Sequence, residues 1–251
     1  MSKIIATMAT YPGRSDVVEQ AAASMAGQVD TLNLVLNEYP SVPEWVGKYP
    51  SINAVIPEID TKDTGKFLIP VAERDWLFTI DDDIAYPPDY VKKSLESFQS
   101  LGTSSVICGY HGTVYKRPRY LPSNRNIRKL LGVDPNYIVS SLSQFSLFEE
   151  LGKNHNVDEL GTGTTFSRGK DVPPFSIVQT AQRFIDVRVA KWAHQTGRKM
   201  ICLSHLAQWL KPIGEPDASS IYHSFTVSRP EHVAREIESF AFRNKGAGHP
   251  I

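Results

Sequence analysis

A short apolar strand that ends in three consecutive acids constrains this chain more than any other feature. Residues 76–80 are apolar except for Thr79, and Asp81, Asp82 and Asp83 follow directly. In an open α/β sheet, ligands bind in the crevice outside the carboxyl ends of the strands. Because hard divalent cations take oxygen ligands, this strand end is predicted to hold Mn²⁺ or Mg²⁺ beside a diphosphate.

Strand-like and helix-like segments alternate through the first half of the chain. The predicted strands are 3–9, 32–36, 52–56, 75–80 and 105–110, and the predicted helices are 16–27, 65–73 and 90–99. Asp16 and Glu19 have the spacing of a capping box at the start of the first helix. Such alternation favours an α/β fold, with a mostly parallel central sheet flanked by helices.

The second half of the chain is less regular. Its clearest element is an amphipathic helix predicted over residues 178–196, which Gly197 can end in a left-handed cap. A late strand is predicted over residues 199–203, and the turn-rich segment that follows has no repeat.

Composition excludes several classes of protein. The 27 Lys and Arg residues balance 27 Asp and Glu residues, so nucleic acid is not expected as a partner. Cys108 and Cys202 are isolated in apolar runs, which predicts reduced core thiols. No segment approaches ~18 unbroken apolar residues, so no transmembrane segment is expected. With no signal-peptide core, the chain is expected in the cytoplasm, and peripheral attachment at the inner membrane face stays open.

The three acids of the triplet are predicted to have different roles. In an extended segment alternate side chains share a side, so Asp81 and Asp83 point together and Asp82 points away. Asp83 is predicted to coordinate the metal directly, and Asp81 to take ribose or a metal-bound water. A solvated turn is the alternative, but repulsion among the three carboxylates favours a bound cation.

Four features in order make the chain resemble a glycosyltransferase of the GT-A fold, closest in layout to family 2. They are a loop after the first strand, the acidic triplet, a glycine-rich turn and an acid at the head of a late helix: Thr10–Arg14, Asp81–Asp83, Gly161–Arg168 and Asp186. The resemblance covers about residues 3–210. It departs from many family members at Asn37–Glu38, where they have an acidic motif, and at Ile185, where they have Glu.

The resemblance implies transfer of a sugar from a nucleoside diphosphate sugar, expected to be a UDP-sugar, to a hydroxyl acceptor in glycan or glycoconjugate synthesis. One domain over residues 1–251 is implied, with donor binding in 1–112 and acceptor binding and catalysis in 113–251. Asp186 is then the expected general base, which gives inversion at the sugar C1. Asp158 and Glu159 are alternative bases, and retention stays open.

Eight residues form the expected nucleotide-binding set: Thr10, Tyr11, Arg14, Asn37, Asp63, Lys66, Asp81 and Asp82. The loop after the first strand can offer backbone N–H groups, the ring of Tyr11 and the charge of Arg14. Lys66 is expected on the diphosphate, with Asp63 near the base. Plain turns, helix caps and an exposed lysine are the structural alternatives.

Three histidines compete for a further position on the metal. His205 follows the strand at 199–203 and is the first choice, with His223 as the second. His111, at the end of the strand at 105–110, could instead touch donor or acceptor. A lone histidine is also a common structural residue, so each position has a structural alternative.

Residues 116–129 carry six basic side chains and no acid. This stretch is predicted to be a solvated loop that could hold an anionic or lipid-linked glycan as acceptor. Two other functions stay open: a nucleotide-sugar-binding module without turnover, and a phosphatase or phosphotransferase that uses an Asp-x-Asp motif. The phosphatase fold carries its motif on the first strand with Thr or Val two residues later, whereas here the motif follows the fourth strand and Ala85 stands there.

Overall fold

Residues 2–116, 142–214, 230–241 and 247–251 are described in the computed structural model of this chain. Their strands are β1 (Ile4–Thr10), β2 (Thr31–Leu36), β3 (Ile52–Val55), β4 (Trp76–Ile80), β5 (Ile84–Ala85), β6 (Val106–Gly109), β7 (Gly112–Tyr115), β8 (Leu142–Phe145), β9 (His155–Asn156), β10 (Glu159–Leu160), β11 (Phe166–Arg168), β12 (Lys199–Cys202) and β13 (Lys211–Pro212). Their α-helices are α1 (Val18–Ala26), α2 (Tyr90–Ser100), α3 (Phe175–Val178), α4 (Ile185–Gln195) and α5 (Glu231–Glu238). Short 3₁₀ turns occupy Pro12–Arg14, Glu44–Lys48, Lys62–Phe67 and Gly169–Asp171.

An eight-stranded sheet forms the centre, in the order β3-β2-β1-β4-β11-β6-β12-β9. The first four strands in this order are parallel neighbours, and β6 is parallel to β12. Strand β11 lies antiparallel between β4 and β6, and β9 is an antiparallel edge strand. Two small antiparallel sheets, β10-β7-β8 and β13-β5, flank this sheet. The predicted fold class, α/β with a mostly parallel central sheet flanked by helices, is confirmed.

Strand β4 is buried along its whole length and separates two hydrophobic clusters. Phe78 and Ile80 face the cluster that contains α1 and α2, whereas Leu77 faces the cluster that contains α4 and α5. Successive side chains of a strand point to opposite faces, so a run that is apolar throughout fits a sheet covered on both faces. The acids that follow β4 therefore leave the core at its carboxyl end, where polar groups can meet solvent.

Two predicted helix starts are wrong. Helix α1 begins at Val18, and its N-cap residue Val17 makes no side-chain cap bond, so Asp16 does not form the predicted capping box. The chain enters α1 through consecutive tight turns, in which the Val17 N–H donates to the Arg14 carbonyl at 3.1 Å. The helix predicted at 65–73 is instead the 3₁₀ turn Lys62–Phe67.

The long helix predicted over residues 178–196 is broken into two. Helix α3 ends at Val178 and α4 begins at Ile185, with Arg183 in the left-handed region at φ +72° between them. The Arg183 N–H donates to Asp63 Oδ1 at 2.7 Å, which replaces its helical partner. Asp186 consequently lies in the first turn of α4. The left-handed cap predicted at Gly197 is confirmed, at φ +74°.

No helix among these described residues is both long enough and apolar enough to cross a membrane. The second histidine candidate, His223, lies outside the described residues, as do residues 117–129 of the predicted basic loop.

The continuous helix and the observed break predict opposite orders of stability for the Arg183→Gly and Arg183→Ala variants. In an uninterrupted helix, Arg183→Gly would be less stable than Arg183→Ala by ~0.5–1 kcal/mol. In the left-handed conformation, alanine keeps a strain of ~1–2 kcal/mol that glycine relieves. We expect Arg183→Gly to have the larger free energy of unfolding, by about 1 kcal/mol, in denaturant titrations.

The same pair of substitutions at Lys191, inside α4, is the control and should show the usual preference for alanine. An alanine variant at Arg183 that equals or exceeds the glycine variant in stability would contradict the break.

Candidate functional site

The candidate site lies at the carboxyl ends of β1, β2 and β4. Because these strands are parallel, Thr10, Asn37 and the acidic triplet emerge at one edge of the sheet. The Asn37 N–H donates to the Thr10 carbonyl at 2.9 Å. The Asn37 amide is buried, accepts from the N–H and hydroxyl of Thr61 at 2.8 Å each, and donates to the Lys62 carbonyl at 3.1 Å. A nucleotide contact by Asn37 would have to replace one of these bonds.

Lys66 brings a buried positive charge into this edge. Its side chain is only 6% exposed, and its ammonium group forms an ion pair with Asp81. Burial opposes the charged form, but Asp81 and, at longer range, Asp186 and Asp63 hold the pKa of Lys66 above its ordinary value. Lys66 is therefore a permanent cation that faces both the triplet and the head of α4.

Asp82 and Asp83 lack full charge compensation. Burial raises the pKa of Asp82 to about 6, and repulsion from the neighbouring carboxylates adds to the rise. Burial and the charge of Asp81 also raise the pKa of Asp83, although Arg14 lies 3.4 Å from it. The repulsion predicted within the triplet is thus present, and an added cation would relieve it.

Asp81 is held in place by two residues that the sequence does not reveal. Its backbone N–H donates to the Tyr86 hydroxyl at 2.8 Å, and this hydroxyl donates to the Gly163 carbonyl at 2.5 Å. A Cβ atom at residue 163 would lie 1.9 Å from Asp81 Oδ2, so only glycine leaves room for the carboxylate. The glycine-rich turn is predicted from sequence, but its contact with the triplet has no local signal.

The same turn orients Asp186. The backbone N–H and the hydroxyl of Thr162 both donate to Asp186 Oδ1, at 2.9 and 2.6 Å. In the described part of the chain no hydrogen bond is made to Oδ2, which leaves this oxygen as a proton acceptor. The turn 161–163 therefore contacts the predicted donor-side acid Asp81 through Gly163 and the predicted base through Thr162.

Asp63 lies close to both Lys66 and Asp186. Burial raises the pKa of Asp63 to about 6, the bond from the Arg183 N–H and the charge of Lys66 oppose this, and the charge of Asp186 adds to it. Because Asp63 binds the backbone just before α4, it connects the 3₁₀ turn that carries Lys66 with the helix that carries Asp186.

The two alternative bases, Asp158 and Glu159, both accept hydrogen bonds from Tyr115. Asp158 is fully buried: one carboxylate oxygen accepts from the Tyr115 N–H at 2.9 Å, and the other has no hydrogen-bond partner among the residues described. Glu159 is partly exposed and accepts a hydrogen bond from the Tyr115 hydroxyl at 2.8 Å. Burial, with the charge of Asp186 in addition, raises the pKa of Glu159 to about 8. A residue that is protonated at neutral pH is poorly suited to act as a base.

The histidines differ in what their ring nitrogens contact. His205 is 8% exposed, with Nδ1 2.8 Å from the Leu203 carbonyl and Nε2 3.2 Å from the Ser146 carbonyl. A metal bond from His205 would need one of these contacts to open. Nδ1 of His111 is buried and has no hydrogen-bond partner within the ranges that the structure describes. Burial lowers the pKa of His111, against the charges of Asp186 and Asp81, so a neutral imidazole lies within range of both acids.

The carboxylates are suited to a cation that is held partly by the protein and partly by the substrate. No three His, Cys, Asp or Glu side chains within the described ranges form a group that could hold an ion. Magnesium is usually bound through one or two carboxylates together with substrate phosphates and water. Asp83, whose side chain is 38% exposed, is suited to such an arrangement.

No protein-family model and no curated protein sequence matches this chain. Among solved structures, it is similar to residues 1–349 of S. aureus TarS, with 12% identity and a TM-score of 0.45 over 82% of this chain and 59% of that one. It is also similar to the same fragment in complex with UDP-GlcNAc, with 11% identity and a TM-score of 0.46 over 88% of this chain and 60% of that one. It is also similar to CMP:2-keto-3-deoxy-manno-octonic acid synthetase complexed with CTP (10%, 0.45, 79% and 88%). The chain thus spans less than two thirds of the TarS fragment. Since these TM-scores are below 0.5, the function proposed below rests on this chain's own residues.

Glu159 makes stability depend on pH in a predictable direction. Its pKa is about 8 in the folded protein against an ordinary 4.5, so between these values only the folded state keeps the proton. Stability should therefore fall as pH rises from about 4.5 to about 8. Glu159→Gln cannot ionise, so its melting temperature should exceed that of wild type by a margin that grows across this window and is constant above it.

Thermal melts of the two proteins at a series of pH values measure this margin. Asp63, Asp82 and Asp158 are present in both proteins, so their titration cancels in the difference. A margin that does not vary with pH would show that Glu159 ionises normally in the folded protein.

Proposed function

We propose that the chain is a glycosyltransferase of the GT-A type that moves a sugar from a nucleoside diphosphate sugar to a hydroxyl acceptor. The observation that carries the proposal is the turn 161–163, which contacts Asp81 on one side and Asp186 on the other. Displacement at a sugar C1 needs stabilisation of a leaving diphosphate and deprotonation of an attacking hydroxyl at neighbouring positions. One side of this turn contacts Asp81, the ion-pair partner of the Lys66 cation, and the other contacts Asp186 as the proton acceptor, in the layout that resembles family 2.

Donor binding is assigned to the loop after β1, the buried lysine and the triplet. The Tyr11 ring is 41% exposed and is available to stack on a base, for which uracil is the expected choice. Arg14 and Lys66 supply positive charge for the diphosphate, and charge-assisted hydrogen bonds to phosphate are among the stronger polar contacts. Thr10, Asn37, Asp63, Asp81 and Asp82 complete the proposed nucleotide-binding set.

Asp83, together with diphosphate oxygens, would hold Mn²⁺ or Mg²⁺. Such an ion supplies Lewis-acid stabilisation of the negative charge on the departing nucleoside diphosphate. The raised pKa of Asp83 supports this role, because the carboxylate is short of positive charge even with Arg14 beside it. Nδ1 of His111 has no hydrogen-bond partner among the described residues, whereas both ring nitrogens of His205 lie near backbone carbonyls, so His111 is the better candidate for a further ligand.

Asp186 is assigned as the general base. The acceptor oxygen forms a bond to the sugar C1 while the bond from C1 to the diphosphate oxygen breaks, and the electron pair leaves with the nucleoside diphosphate. The acceptor proton passes to Asp186 Oδ2, while Thr162 holds Oδ1. A direct displacement of this kind inverts C1. Glu159, protonated at neutral pH, would lie on the acceptor side as a hydrogen-bond donor.

The other functions have less support. A phosphatase of the Asp-x-Asp kind has no supporting observation, because the triplet follows the fourth strand and Ala85 pairs with Lys211 in a small sheet. A binding module without turnover does not explain two hydrogen bonds that orient one oxygen of Asp186. A cytoplasmic location and an anionic or lipid-linked acceptor at the basic loop stay predictions from the sequence.

The metal assignment is tested by Asp83→Asn. Because the substitution removes a crowded negative charge, the fold should keep its stability while Mn²⁺-dependent binding of UDP falls by at least ~10-fold. Isothermal calorimetry of UDP with and without Mn²⁺ gives the comparison, and Asp82→Asn is the matched control with a smaller expected loss. An unchanged affinity for UDP and Mn²⁺ in the Asp83 variant would rule out Asp83 as the ligand.

The base assignment is tested by Asp186→Asn, which keeps shape and removes basicity. Positioned general-base catalysis contributes ~10²–10⁴-fold, so kcat should fall by this factor while donor affinity stays near wild type. Release of UDP from a panel of UDP-sugars gives kcat, and UDP titration gives affinity. Thr162→Val, which keeps the backbone N–H bond, should lose less activity.

Turnover within a few-fold of wild type would exclude Asp186 as the base and direct attention to Glu159. Wild-type protein that binds UDP but turns over no UDP-sugar would instead support the binding module.

A further inference from the structure

A second cavity lies outside the crevice, between α2 and the segment that follows β12. Its volume is about 390 Å³, within the ~300–1,000 Å³ typical of small-molecule sites. Its lining includes Lys93, Glu96, Tyr110, Glu150, His205 and Trp209. None of the acids assigned to donor binding or catalysis lines it, so it is a separate place on the molecule.

Trp209 gives this cavity an aromatic face in a fixed orientation. The indole N–H donates to Asp89 at 3.1 Å, and the ring packs edge-on to Tyr110 with centroids 5.0 Å apart. Tyr90 supports it from the core at 5.7 Å. The indole is partly exposed, so a ligand can reach it. Because the ring is already held in one orientation, little conformational entropy is lost when a ligand stacks on it.

The floor of the cavity is also rigid, because His205 connects two segments of the chain. Its ring nitrogens face the Leu203 and Ser146 carbonyls, and its backbone N–H and carbonyl pair with Leu151 at 2.9 Å each. The ring packs at 90° against Tyr110 at 5.6 Å. His205 thus has a defined structural role here, as the floor of the cavity.

Polar groups surround the aromatic face. Glu96 and Ser97 come from α2, and Glu150 and Ser204 come from the opposite wall. The Lys93 ammonium lies over the Trp209 ring, 5.6 Å from its centroid, and pairs with Asp89 at 2.7 Å, so a sugar would have to share this part of the cavity with it. A pyranose has the complementary chemistry, since its C–H face is apolar and its hydroxyls both donate and accept hydrogen bonds around its edge.

We propose that this cavity binds a neutral saccharide, with a pyranose ring stacked on Trp209 and its hydroxyls hydrogen-bonded to Glu96, Glu150 and Lys93. Binding of the saccharide does not depend on the proposed transferase activity, but a role as an acceptor subsite rests on it. The chain runs directly from Tyr110 in the cavity to His111 in the crevice, so a glycan held here would lie next to the candidate active site. The cavity would then act as a subsite for a sugar residue that is not itself transferred.

The test uses three neutral trisaccharides as probes: N-acetylchitotriose, maltotriose and cellotriose. At least one should show saturable binding in the millimolar range by calorimetry, with a change in tryptophan fluorescence. Trp209→Ala should weaken that binding by about 10-fold, the loss of one aromatic stacking contact. Trp192→Ala is the matched control, since this partly buried indole on α4 stacks with Arg198 at 4.3 Å, away from the cavity.

Glu96→Ala provides a second variant in case Trp209→Ala does not fold, because Glu96 is exposed on α2. It should lower saccharide affinity several-fold without a change in melting temperature. Asp83→Asn should leave saccharide binding intact, so failure of this inference and failure of the transferase proposal can be told apart. The inference is overturned if no trisaccharide binds saturably, or if the Trp209 and Glu96 variants bind like wild type.

Discussion

The ammonium group of Lys66 is the charge on which the candidate site depends. Asp81 pairs with it directly, and Asp63 and Asp186 lie close enough to raise its pKa. Removing one partner of a buried ion pair leaves an uncompensated charge, which is strongly destabilising. The 3₁₀ turn that carries the lysine packs closely, since a Cβ at Gly65 would lie 2.6 Å from the Thr61 hydroxyl. Burial raises the pKa of Asp63 and of Asp83, and the charge of Lys66 opposes that rise.

The turn 161–163 holds two of these carboxylates, Asp81 and Asp186, in fixed positions. Gly163 has no side chain where Asp81 needs space, and Thr162 uses both of its donors on Asp186. The Tyr86 hydroxyl joins the triplet to the same turn. A shift of the turn would therefore disturb the proposed donor side and the proposed acceptor side together. That coupling is expected of a direct displacement, in which departure of one group and attack by the other occur in a single step.

Several features of the molecule follow from local sequence. The burial of β4 on both faces follows from an uninterrupted apolar run, and the exit of Asp81–Asp83 at its end follows from the cost of burying carboxylates. The raised pKa of Asp82 follows in part from adjacency alone. The left-handed cap at Gly197 is equally local, because glycine adopts positive φ without strain. The α/β class is also predicted by local sequence, because short apolar segments alternate with amphipathic ones.

Tertiary contacts decided the rest, because they join residues that are distant in the chain. The break before α4 depends on a bond between Arg183 and Asp63, 120 residues apart, which outweighs a helical pattern that continues through it. Hydrogen bonds occupy the amide of Asn37, and both ring nitrogens of His205 lie near backbone carbonyls, whereas Nδ1 of His111 has no hydrogen-bond partner in the described part of the chain. The sequence determined which residue types reach the sheet edge. Only the folded structure decided which of their atoms remain available, since availability depends on partners that no local pattern specifies.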